Sequence, residues 1–361
     1  MTSSTDDREV ERLRSLLREH GLLPSTVEEA AGEHNGEQLL TQILTGRRRR
    51  PRAGRARFLV AAAAAVGIAV AAGAWAVWRG EPAEASPTPA MLHYATSAPE
   101  HVGTAPSAAQ AFHVAADAVS AVAPSSKSSG GTQYVSTYGW LLDAQAQPTG
   151  PAVTTLYPTV TDSWLSSDGA MRVDQSRGAA LGLDGRATGS DVVAGGRTAS
   201  DTAPAGSVDP QLASRLTPLA SDTAALTSAL LATQTGLPCA QDLRWQAECL
   251  LQATQQVYSQ YVVAPSLAAG IWNVLADNSS FRLLGATIDR TGRAATGIGL
   301  ASDPTNPASV VTVLLLSPRD GTYLGTETIT LADPQLGISK ATVTSFSTLT
   351  AARWVAQPGD R

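Results

Sequence analysis

The stretch FRLLGATIDRTGRAATGIGLA, residues 281–301, decides the fold class. Two apolar runs of strand length flank the turn Arg290-Thr291-Gly292, which is the pattern of an antiparallel hairpin. The pattern continues through ASVVTVLLL (308–316), the turn SPRDG (317–321), TYLGTETITL (322–331) and KATVTSFSTLTAARWV (340–355). Upstream the period becomes helical. Asp222 is placed to cap TAALTSALLATQ (223–234), Gly236 and Pro238 break it, RWQAECLLQATQQVYSQYV (244–262) follows, and Pro265 opens SLAAGIWNVLAD (266–277). Further upstream, TQYVSTYGWLL (132–142), VTTLY (153–157) and AMRVDQSR (170–177) read as strands, the last two joined through DSWLSSDG with a turn at Asp168-Gly169. Ser107 to Ala123 reads as a helix closed by Pro124. Strands, then helices, then hairpins predict an α+β domain over 107–356, a curved antiparallel sheet packed on helices. Within it, 182–210 contains no large apolar cluster and reads as a mobile insertion.

The chain before this domain has a different character. FLVAAAAAVGIAVAAGAWAVW, residues 58–78, contains no charge and no proline, and as a helix it would be about 30 Å long, the thickness of a bilayer's hydrocarbon core. Seven arginines between Arg47 and Arg57 precede it and Arg79 alone follows, so the N-terminus is expected in the cytoplasm and the large domain outside. Ala83-Glu84-Ala85 has the small-x-small form of a signal-peptidase site. The apolar run, however, exceeds the ~7–15 residues of a signal peptide's core, and the preceding segment is too long, so 58–78 reads as a retained single-pass signal anchor. Residues 1–57 suggest short amphipathic helices, with Val10, Leu13, Leu16 and Leu17 on one face and Leu39, Leu40, Ile43 and Leu44 on another. Helices this short gain stability by docking, so residues 6–45 are a candidate contact for a cytoplasmic protein. Residues 79–106 are rich in Pro, Ala, Ser and Glu and read as a linker.

Charge and residue usage narrow the function. Residues 1–57 carry 11 Arg against 9 Asp and Glu, and the remainder carries 15 Lys and Arg against 22 Asp and Glu, so the outer part is mildly acidic and no nucleic-acid partner is expected. All five histidines (His20, His34, His93, His101, His113) precede residue 114. Beyond residue 113 the domain therefore lacks the histidine that a Ser-His-Asp, Cys-His or histidine-bearing zinc site needs, and neither catalysis, metal nor cofactor is expected. Asp162, Asp168, Asp289 and Asp303 read as solvated turn and strand-end caps, Tyr138, Trp140, Tyr157 and Trp164 as core or sheet-face residues, and the glycines of GIGLA (297–301) as a strand rather than a phosphate loop.

Cys239 and Cys249, the only cysteines, would lie on the oxidising side of the membrane, which favours a disulfide. On one continuous helix they would stand roughly 15 Å apart, beyond the ~7 Å limit for a bridge, so the chain must bend between them. Pro238 and the polar AQDL that follows provide for that bend.

LLTQILTGRRRRP (39–51) ahead of an alanine-rich span, SWLSSDGAMRV (163–173), VVAPSLAAGIWNVLA (262–276) and SPRDGTYLGTETITL (317–331) together resemble actinobacterial single-pass membrane proteins of uncharacterised function. The outer region of such proteins resembles the LolA-like and LppX-like lipoprotein-carrier folds. That resemblance implies a half-barrel sheet around helices with room for an apolar ligand. The expectation is a membrane-anchored extracytoplasmic module that binds a lipid or other apolar envelope ligand. The alternatives are a transmembrane regulator of the anti-sigma type, which couples the outer domain to a cytoplasmic factor, and a structural envelope protein.

Overall fold

A computed structural model describes residues 89–123, 131–145, 147, 152–183, 197–302 and 310–361. The expected cytoplasmic helices (1–57) and span (58–78) lie outside the described residues, and among those described no helix is long and apolar enough to cross a membrane. After a 3-10 turn at Pro99–Thr104 come α1 (Ala109–Ser120), β1 (Thr132–Gln145), β2 (Val153–Leu165), β3 (Met171–Arg177) and β4 (Arg197–Ala203). Four helices follow, α2 (Leu212–Leu216), α3 (Thr223–Ala232), α4 (Leu243–Gln260) and α5 (Pro265–Ala276). The chain closes with β5 (Arg282–Ile288), β6 (Ala294–Ala301), β7 (Val310–Leu316), β8 (Tyr323–Thr330) and β9 (Thr342–Val355). The fold is α+β.

All nine strands form one antiparallel sheet in the order β4-β3-β2-β1-β9-β8-β7-β6-β5. Two meanders meet where the first strand pairs with the last, Thr132 opposite Val355 and Trp140 opposite Phe346. Near β5 the sheet coils. Arg293, on the β5–β6 turn, donates to the carbonyls of Leu324 on β8 (3.2 Å) and Leu349 on β9 (3.0 Å). A flat sheet would hold its side chain out of reach of strands two and three places away.

The run VVTVLLL is apolar throughout because β7 is covered on both faces. Leu314 and Leu316 join the core under the helices, while Val311, Val313 and Leu315 pack on the opposite face with Tyr94, Val102, Trp140 and Phe346. On α4, Ala247, Leu250, Leu251, Thr254, Val257 and Tyr258 are buried at helical spacing, and Asp242 caps the first turn by accepting from the Trp245 amide. Asp222 caps α3 in the same way, through the Ala225 amide, as its position predicts. Aromatic rings, edge-on and stacked, fill the space between helices and sheet. Phe112 lies 5.5 Å from Phe281, Tyr258 5.6 Å from Trp272 and 4.4 Å from Tyr323.

Cys239 and Cys249 form a disulfide with Cα atoms 5.7 Å apart. The required bend is the turn closed by the Gln241 amide on the Pro238 carbonyl just before α4 restarts at its Asp242 cap.

Three expectations change. Part of the 182–210 insertion is strand: β4 pairs along its whole length with β3, from Met171 opposite Ala203 to Arg177 opposite Arg197. Its composition hid it, since an edge strand of small and polar residues contributes little to either core. Secondly, VTTLY and DSWL belong to one strand, because β2 runs through Pro158 without interruption. Pro158 has no N–H to give, and β3 leaves the ladder at that point: after Thr159 pairs with Arg177 the chain bulges, and Leu156 next meets Leu181. Finally, the described part of the 79–106 linker, from Pro89 onward, is packed on the sheet and forms part of the site below.

Candidate functional site

Residues 89–106 cross the outer edge of β5 as a strap. The amides of Ala95 and Thr96 donate to the carbonyls of Ala286 (3.0 Å) and Leu284 (2.8 Å), so the strap partly closes an otherwise open sheet edge. Side chains fix its path. Gly285 has φ +97, and a Cβ there would stand 2.3 Å from Thr96 Oγ1; at Gly297 a Cβ would meet the Tyr94 ring at 2.5 Å, and at Gly299 Val102 at 2.8 Å. The glycines of GIGLA are thus cut away to receive the strap.

Tyr94 is the strap's anchor. Its hydroxyl donates to Glu327 Oε2 (3.1 Å) on β8, a wholly buried carboxylate. Arg290, on the β5–β6 turn, donates from Nε to the other oxygen of Glu327 at 2.5 Å and from Nη1 to the strap carbonyl of Ala90 at 2.6 Å, with its guanidinium 5.2 Å from the Phe346 ring centre. Arg290 Nη2 is buried and has no acceptor among the described residues. Burial raises the pKa of the Glu327 carboxyl, with Arg290 opposing the shift, and burial likewise raises that of the Tyr94 hydroxyl.

Two hollows border the strap. A groove of about 400 Å³ runs between α1 and β5, walled by Gln110, Ala111, Val114 and Ala118 from the helix and Leu283 and Ala286 from the strand, with Thr96 at its rim. None of its described lining residues is charged. Val114 is 53% exposed there, an apolar side chain the fold leaves uncovered. The second hollow, about 490 Å³, lies between Ala90–His93 and Ala286–Ile288, and Ala286 borders both. Ile288 is 55% exposed at its margin.

The residues singled out from sequence fall elsewhere. Asp162 is a buried mid-strand carboxylate held by the Tyr134 hydroxyl (2.7 Å) and Arg361 (2.7 Å), which corrects its reading as a solvated cap. Asp289 does cap its turn, accepting from the Thr291 and Arg293 amides, yet it too is buried. Asp168 caps its turn through the Ala170 amide, and Asp303 lies outside the described residues. Trp140 and Trp164 are buried, Tyr138 and Tyr157 partly so, and none of the four is among the described lining of either hollow. Sequence reasoning missed the strap and the groove. One signal was available: Glu327 is the lone charge in the otherwise uncharged strand sequence YLGTETIT.

Comparison with models of known families, with curated proteins and with solved structures finds no match to this chain.

Proposed function

We propose that this chain is a membrane-anchored extracytoplasmic module that binds a small, uncharged, apolar ligand, and that the groove between α1 and β5 is where it binds. The carrying observation is an uncharged groove beside an exposed valine, of a size suited to a small molecule or one lipid tail. The resemblance to LolA-like carriers supports the ligand class. The packing under the helices moves the site, because Phe112, Tyr258, Trp272 and Tyr323 fill the space that a half-barrel carrier would give its ligand. The span at 58–78 would hold the module at the outer face of the membrane.

Photolabelling of the full chain with a long-chain aliphatic alcohol bearing a diazirine tests this reading. Adducts are expected on peptides covering 107–118 and 283–286, and Ala111→Trp, which fills the groove, should lower their yield at least ~10-fold. Labelling spread evenly over the surface, or unaffected by Ala111→Trp, would count against it. The regulator reading gains one observation: the strap that borders the groove is the continuation of the segment leading from the expected span.

A further inference from the structure

We infer that residues 90–104 form a gate, a strap that lifts from β5 as a unit while the rest of the domain stays folded and so joins the groove to the hollow beside it. The inference rests on the proposed function for what the gate admits, but the lifting itself rests on the balance of forces that holds the strap down. Holding it are the main-chain bonds from Ala95, Thr96 and Ser97 to β5, the Tyr94 hydroxyl on Glu327, the Arg290 Nη1 bond to the Ala90 carbonyl, and the burial of Tyr94 and Val102. Opposing it are two desolvation costs. The closed strap keeps the Arg290–Glu327 pair out of water, and it leaves Arg290 Nη2 buried without an acceptor among the described residues.

Both members of that ion pair belong to the sheet. When the strap lifts they stay paired and become hydrated, so no lone charge is stranded in the core. The hinge is also defined: beyond Ala105 the chain is tied again, the Leu283 amide donating to Pro106 (2.8 Å) and the Ala108 amide to Phe281 (3.1 Å). The strap lines part of both hollows. Thr96 forms the rim of the groove, Ala90–His93 form one side of the second hollow, and Ala286 lies between the two hollows. Lifting residues 90–104 joins them into one trough along β5.

Hydrogen exchange on the full chain in mild detergent, read on peptides covering 92–104 and 310–330, tests the gate without any ligand. The amides of 95–97 are expected to exchange at least ~100-fold faster than those of β7 and β8. Tyr94→Phe, which removes one hydrogen bond to a carboxylate, should speed the strap a further ~5- to 10-fold and leave β7 and β8 unchanged. Strap amides that exchange in step with β7 and β8 in both proteins would overturn the proposal. The diazirine alcohol then reports on the joined trough: its labelling at 286–288, where the two hollows meet, should rise in Tyr94→Phe, and unchanged labelling there would overturn the gating role. A wild-type groove that takes no label while the strap exchanges as expected would sink the ligand reading and leave the opening of the strap standing.

Discussion

Gly285 shows how closely a single position is tied to the strap. At φ +97, with Thr96 Oγ1 2.3 Å from where a Cβ would sit, alanine meets both backbone strain and a collision. Gly285→Ala is expected to cost about 1–3 kcal/mol, seen as a lower midpoint in denaturant unfolding of the full chain, together with faster exchange at Ala95 and Thr96. An unchanged midpoint with an unchanged strap would mean that the close approach at this position does not matter to stability. Glu327 is informative in another way. Alternation along YLGTETIT does not give its face, because the register shifts at Gly325 and leaves Tyr323 under the helices and Ile329 on the strap side, and its partners are 37 and 233 residues away in sequence.

At the scale of elements, what was legible followed local chemistry. The helix cap at Asp222, the hairpins of the second half and the bend that lets Cys239 reach Cys249 are all encoded within a few residues of where they act. β4 was not legible, because its stability comes from pairing with β3 rather than from apolar residues of its own. One polar network ties these two strands: Arg172 donates to Asp174 from Nε (3.0 Å) and Nη2 (2.6 Å), and Ser200 on β4 donates to the same carboxylate at 2.6 Å. The hydrogen bond from Arg172 holds the Asp174 carboxyl below its ordinary value, with Ser200 assisting. A depressed carboxyl stabilises the fold above the unfolded value of about 3.9 and loses that contribution as pH falls through the lower folded value. Amides of β4 are therefore expected to lose protection below about pH 4, ahead of those of β7 and β8, and Asp174→Asn should make β4 protection insensitive to pH in that range. Equal loss across all strands would show that the network has no local role.

For the whole molecule, composition and order conveyed the α+β class, and the meeting of β1 with β9 joined the two strand runs into one sheet. The site was hidden for a physical reason. A groove between a helix and a sheet edge is defined by what packing leaves unfilled, and its mixed lining of small, polar and aliphatic residues has no composition to set it apart. The strap was hidden as well, since Pro, Ala and Ser dominate both mobile linkers and segments that dock through a few anchors such as Tyr94 and Val102. An apolar small molecule held beside α1, as proposed, should travel with the protein. Native mass spectrometry of the full chain, released from detergent with and without Ala111→Trp, tests it most directly. A single added mass of an uncharged apolar compound on the wild type, lost in the variant, is the expected result; no added mass on either, or the same mass on both, would contradict it.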